Sequence, residues 1–158
     1  ISRFSDSQEV SHLNINAKYF GPISYEEKET IHIINGLIGF ESFTEYLPIP
    51  FQENDDSMIS LQCLADETLS FILMNPFTIF PDYAPLLPSH ELKELGADSI
   101  DDISFYVIGV IRDSVEESTV NLKAPLAVNA MNRQAKQVIL DHPEYTFRHS
   151  LGDMRKEG

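Results

Sequence analysis

The sequence predicts a mainly all-β fold, an antiparallel sandwich or small β-barrel with one or two short helices. Three observations predict it. Seven or eight short runs are either alternately apolar and polar or apolar throughout, and turn residues separate them. Only one stretch carries a full set of helix signals. The longest alternating run, Thr119 to Ala130 (TVNLKAPLAVNA), puts Val120, Leu122, Ala124, Leu126, Val128 and Ala130 at one period-two phase, with Thr119, Asn121, Lys123 and Asn129 between them. Strands at such spacing, joined by loops of ordinary length, close into a sandwich or a barrel.

The elements follow in order. Leu13 to Phe20 (LNINAKYF) alternates as a strand and ends at the turn signal Gly21-Pro22. Glu29 to Ile34 (ETIHII) reads as the second strand, closed by Asn35-Gly36. From Gly36 to Pro48 the glycines predict a tight bend and then one helical turn, and Gln52 to Ser57 reads as a loop. MISLQCLA from Met58 and LSFILMN from Leu69 form a hairpin across Asp66, Glu67 and Thr68. Asn75 to Pro88 (NPFTIFPDYAPLLP) has four prolines and little periodicity, which predicts an ordered aromatic loop. SHELKELG is the helix: Ser89 stands as N-cap, Leu92 and Leu95 share a face, and Gly96 sits where a glycine terminates a helix. Ser99 to Asp102 starts a second short turn, and ISFYVIGVI from Ile103, apolar on both faces, is a central strand. A loop from Arg112, the alternating run, a turn at Met131 to Gln134 and a last strand AKQVIL complete the set. Pro125 cannot donate to a ladder and implies an edge or a bulge in the alternating run. One domain is expected over residues 12–151, with 1–11 an extension that is disordered or artificially added and 152–158 a flexible tail.

The 158 residues are 42% hydrophobic and 23% charged, an ordinary globular composition. The single Cys63 excludes an internal disulfide and fits a reducing compartment. The longest apolar run, Phe105 to Ile111, falls far short of the roughly 18 residues of a membrane helix, and the first residues lack signal-peptide order. A cytoplasmic protein that avoids membranes is expected. Net charge is −14, unevenly placed. Residues 1–111 hold 18 acids and 4 bases, a balance of −14, while 112–158 hold 7 of each. That field repels nucleic acid and speeds encounter with a basic protein partner. It also keeps the chain soluble, which is the plainer reading.

No constellation asks for catalysis, a metal or a cofactor. His12, His32, His90, His142 and His149 are scattered; His142 and His149, beside Asp141 and Glu144, come nearest to a metal cluster and read as a solvated tail. Cys63 alternates with Leu61 and Ile59 as buried filler. The pairs Asp55-Asp56, Asp66-Glu67 and Asp101-Asp102 fall in turns or at a helix start, where turn chemistry explains them. GxSxG, Walker, GxGxxG and CxxC motifs are all missing.

Two groups are candidates for partner binding. Phe77, Phe80, Asp82 and Tyr83 lie on the proline-stiffened loop, where aromatics lose little entropy on binding; alternatively their rings cap the barrel, or one ring stands outside and the others in. Lys123, Asn129, Asn132, Arg133 and Lys136 form the neutral-to-basic zone, expected to fold beside that loop; alternatively Asn129 and Asn132 only bond their own turn.

The chain resembles the FliW family of flagellar assembly factors. The resemblance rests on AKYFGPI from Ala17, NGLIGFE at 35–41, NPFTIFPDYAPLLP at 75–88, ELG at 94–96, NLKAPLAVNAMNRQAKQVIL at 121–140 and YTFRHSL at 145–151, and spans about Ile15 to Leu151. Ile38 and Ser150 stand where the family usually carries proline. The resemblance implies a pseudo-barrel of antiparallel strands and a cytoplasmic binding protein, not an enzyme. It implies two mutually exclusive partners: flagellin, and CsrA, a small dimeric RNA-binding repressor of flagellin translation, which FliW-like proteins inhibit allosterically. Free FliW captures CsrA; flagellin-occupied FliW releases it. A monomer is expected. Two rival readings remain: an acidic mimic that blocks a nucleic-acid-binding protein by charge, and a small hydrolase built from carboxylates brought together by folding.

Overall fold

The structure, a computed structural model, describes residues 12–152. The expected extension 1–11 and the tail from 153 onward lie outside the described residues. The strands are β1 (His12–Ala17), β2 (Gly21–Glu26), β3 (Ile31–Ile33), β4 (Glu45–Gln52), β5 (Asp55–Cys63), β6 (Ser70–Met74), β7 (Ile103–Val110), β8 (Thr119–Val120), β9 (Leu126–Asn129), β10 (Gln134–Gln137) and β11 (His149–Ser150). Helices α1 (Pro76–Ile79) and α2 (Ser89–Glu94) are short.

Seven strands close a barrel in the cyclic order β3-β4-β5-β6-β7-β9-β10, because β7 pairs with β9 as well as β6. The pairings are antiparallel except β10 with β3. The β1–β2 hairpin packs outside on β4, with Ile15 and Tyr25 against Leu47. Ile33, Leu37, Tyr46, Leu61 and Leu126 fill the barrel. An outer layer of Leu95, Val107, Leu122 and Tyr145 lies between the strands and the segments that wrap them. Full burial of one such aliphatic or aromatic side chain contributes about 1.5–3 kcal/mol.

Three strands escaped the sequence reading; one is the two-residue β11, where His149, read as part of a solvated tail, pairs with Val120 and packs on Phe80. GPISYE was read as a turn start, yet it forms β2 after Gly21, whose φ of +69° makes the turn. EYLPIPFQ was expected to hold a helical turn followed by loop, and it is the eight-residue β4. The Glu45 carbonyl accepts from Leu64 N–H, so odd-numbered residues turn their backbone polar groups toward β5. Pro48 and Pro50 fall at even positions, on the side that β3 leaves open past its pairs with Glu45 and Tyr46. No ladder donor is missed there. The supposed loop at Gln52 to Ser57 is a tight turn, with Asn54 left-handed at φ 61°.

The run Thr119 to Ala130 is two strands rather than one. Val120 opposes Gly109; continuing that register would set Leu126 against Ile103, but it opposes Tyr106, so three residues are looped out. The loop holds Pro125, and the Asn121 side chain closes it by accepting from Ala124 N–H at 2.9 Å. An odd insertion turns the chain over. Val120 and Leu122 therefore face the outer layer, whereas Leu126 and Val128 face the barrel interior. What reads as a single apolar face serves two cores.

Helix α2 starts one residue earlier than expected, with Pro88 as N-cap and no capping side chain. It ends as the sequence predicts. Gly96 has φ +68°, its N–H donates to the Lys93 carbonyl and Ala97 N–H to that of Leu92, a Schellman pattern. The segment read as an aromatic loop opens with α1, where Asn75 caps Phe77 N–H at 3.0 Å and Pro76 takes the first helical position.

Candidate functional site

The aromatic loop packs inward with one ring outside. Tyr83 is 4% exposed and donates its hydroxyl to the Leu122 carbonyl at 2.7 Å. Burial, then the neighbouring Tyr145, pushes that phenol well above its usual range. Tyr145 lies 4.8 Å away, ring to ring, and its oxygen accepts Ala84 N–H. Phe80, half-buried, leans on both tyrosines and on His149. Asp82 is exposed, and Phe77 remains 43% exposed while touching the Tyr83 ring at 5.9 Å.

The neutral-to-basic zone is bonded to the fold at each side chain. The Leu95 carbonyl, which ends α2, accepts from both Asn129 Nδ2 and Asn132 Nδ2 at 2.9 Å. The same two side chains accept from Met131 and Gln134 N–H through their oxygens. Arg133, left-handed at φ 61°, donates Nε to the Thr30 carbonyl at 3.1 Å and another guanidinium hydrogen to the Glu29 carbonyl. Lys136 Nζ donates to Glu91 at 2.6 Å and Glu94 at 3.0 Å, which locks β10 to α2. Among the described residues Lys123 reaches only the His142 carbonyl, at 3.5 Å. Through Tyr83 and Leu122 the start of this zone does lie beside the aromatic loop; Asn129 to Lys136 instead surround α2.

Folding also creates a cleft of about 520 Å³ between the aromatic loop and the start of β7. Phe77 and the 77%-exposed Leu86 stand on its lining, with Asp56 and Asp101. Asp56 is fixed in place: Asn75 Nδ2 donates to both its oxygens at 3.3 Å, and the Tyr106 hydroxyl to one of them at 3.3 Å. Burial first, then the Asp56 charge, raises the Tyr106 phenol. Asn75 thus caps α1 with one side-chain atom and orients Asp56 with the other. Sequence reading assigned Asp56 and Asp101 to turn chemistry and Tyr106 to a core strand. The available signal was Tyr106 itself, a polar-tipped aromatic in a largely apolar strand, whose hydroxyl needs a partner.

A second depression of about 620 Å³ runs between Phe51, Ile72 and Val110, where the β6–β7 ladder stops at Ile72 and Gly109. Its lining carries no charged residue. Among the described residues, no group of three or more His, Cys, Asp or Glu side chains could hold a metal, and no helix is long and apolar enough to cross a membrane.

Comparison with known proteins places this architecture. The family model described as "FliW protein" matches residues 14–151. The chain belongs to the FliW family. The flagellar assembly factor FliW of Shouchella clausii is 33% identical over 146 residues, covering 92% of this chain and 99% of that protein. FliW of Exiguobacterium sp. is 36% identical over 143 residues, covering 90% and 97%. A crystal structure of the flagellar assembly factor FliW superposes with a TM-score of 0.81 at 32% identity, over 88% of this chain and 96% of the other. The barrel described above, with its two short helices, is the FliW fold.

Proposed function

We propose that this chain is a cytoplasmic flagellar assembly factor that acts by occupancy, without catalysis. It binds flagellin; when free, it binds and inhibits the translational repressor CsrA, so flagellin synthesis follows flagellin secretion. The observation that carries the reading is the likeness to FliW proteins over nearly the whole of both chains, in sequence and in fold. The surface is consistent with it. The clefts that folding creates suit protein side chains, and the acidic residues 1–111 favour encounter with a basic partner.

Competition supplies the switch by mass action. With flagellin held at ten times its dissociation constant, the protein available to CsrA falls about elevenfold. Titration calorimetry against flagellin and CsrA of the same organism, at two salt concentrations, tests this. A one-to-one complex with each, the first blocking the second, is the expected result. Heat with neither partner would leave the family likeness describing a fold alone. Affinity for CsrA that collapses with salt and is lost to competing RNA would favour a charge mimic instead.

A further inference from the structure

We infer that the cleft between the aromatic loop and the start of β7 docks a segment of the protein's partner that presents a large apolar side chain beside an arginine or lysine. The inference rests on the partner-binding reading above and names the place and the chemistry of one contact.

The charge around the cleft is one-sided. Its lining includes Asp56 and Asp101 and no basic residue. Neither carboxylate takes part in an ion pair among the described residues, whereas the carboxylates beside α2 are matched by Lys136. Asp56 is nonetheless held still, by the amide of Asn75 and the hydroxyl of Tyr106. Both donors are neutral, so they fix the carboxylate's direction and leave its charge for an incoming cation. A carboxylate oriented before binding loses little on meeting a guanidinium or ammonium, and charge-assisted hydrogen bonds are the stronger kind.

The apolar half of the contact stands next to it. Leu86, 77% exposed, sits on a segment that Pro81, Pro85 and Pro88 restrict, and Phe77 is held at the start of α1 by the Asn75 cap. An exposed leucine and phenylalanine on stiffened backbone offer area for burial without an ordering cost. At about 520 Å³ the cleft lies within the range of sites that enclose a ligand group, so an apolar side chain and its neighbour fit together. Phosphate-bearing ligands are repelled by the same two carboxylates. The neighbouring apolar depression at Phe51 and Ile72 has no charged lining and so no chemistry that names its occupant.

The experiment compares the full-length protein with two variants, Asp56→Asn with Asp101→Asn, and Leu86→Ser, by calorimetric titration against flagellin and against CsrA. Asparagine at 56 keeps an acceptor for Asn75 and Tyr106, and Leu86 is too exposed to be needed for folding. Unchanged melting curves will verify that each variant folds. The expected result is a fall of about tenfold or more in affinity for one partner in both variants. The wild-type affinity for that partner weakens with salt more steeply than the doubly neutralised variant's does. If the wild type binds a partner and both variants bind it within twofold of wild type, the docking inference is overturned and the proposed function stands. If only Leu86→Ser weakens binding, the cleft is an apolar contact and the basic residue is refuted. If the wild type binds neither partner, the functional reading fails and this inference falls with it.

Discussion

The zone from Lys123 to Lys136 and the cleft at the aromatic loop use similar side chains to opposite ends. In the first, polar groups are turned inward to the molecule's own backbone and carboxylates: Asn129 and Asn132 end α2, Arg133 holds the carbonyls of Glu29 and Thr30, and Lys136 ties β10 to α2. In the second, Asp56 is oriented by neutral donors, and among the described residues neither it nor Asp101 meets a basic group. Residue type does not separate the two regions; whether a charge is answered by an opposite charge or only by neutral groups does. A polar side chain fully matched within the fold contributes stability, and a carboxylate met only by neutral donors keeps its charge for another molecule. Changes in the first region should therefore lower the melting temperature and spare affinity, and changes in the second should do the reverse.

The largest effect is expected at Asn129. It is 2% exposed, and its amide satisfies the Leu95 carbonyl while its oxygen accepts Met131 N–H. Asn129→Ala removes one of the Leu95 carbonyl's two donors, leaving Asn132, empties a buried polar site and takes the acceptor from Met131 N–H, a loss of about 2 kcal/mol. For a chain of this length that lowers the melting midpoint by roughly 4–8 °C, readable by circular dichroism. Affinity for flagellin and CsrA, measured well below the transition, stays within twofold. A fall in affinity at an unchanged melting temperature would break the comparison at its firmest point.

Gly96→Ala tests the same corner from the other side. At φ +68° an added Cβ is strained, and it would stand 2.8 Å from Asn132 Nδ2, which must shift from the Leu95 carbonyl. The expected cost is about 1–2 kcal/mol. Combining it with Asn132→Ala should cost less than the two separate losses together, because the second change removes the atom that the new methyl meets. Strict additivity of the melting shifts would mean that Asn132 and Gly96 are independent.

The sequence carried the barrel's strands wherever the backbone kept one register. β5, β6 and β7 are apolar or alternating with turn residues at their ends, and the Gly96 terminator of α2 stands in plain view. It failed where local rules were overridden by position. Pro48 and Pro50 argue against a strand, and only the side vacated by β3 makes β4 possible. The alternation from Thr119 to Ala130 is real, yet a three-residue loop moves its two halves to different cores, and period two cannot register an odd insertion. The candidate site was half legible. Phe77 could be found because proline and aromatic residues crowd around it. Asp56, Asn75, Asp101 and Tyr106 come from separate elements, and no spacing along the chain announces that they meet.

Lys136 gives the smallest effect and the sharpest division between the two regions. Its ammonium donates to Glu91 at 2.6 Å and to Glu94 at 3.0 Å, and only 18% of the side chain is exposed. Lys136→Met keeps the aliphatic stem and removes the charge, leaving Glu91 with the more distant His90 Nε2 at 3.9 Å. Solvent screening at the exposed Glu94 holds the expected loss near 1 kcal/mol, or roughly 2–4 °C. The hydrogen bond to Glu91, foremost among the causes, raises the ammonium above its ordinary value near 10.4. A raised lysine contributes fully below its unfolded value and loses the contribution as pH climbs through the folded one. The difference in stability between wild type and variant should therefore hold steady from about pH 6 to 9 and shrink above about pH 10.5. Denaturant titrations across that range measure it. If the variant instead melts like wild type and loses affinity for a partner, Lys136 belongs to an interface, and its bonds to α2 are a resting arrangement that binding exchanges.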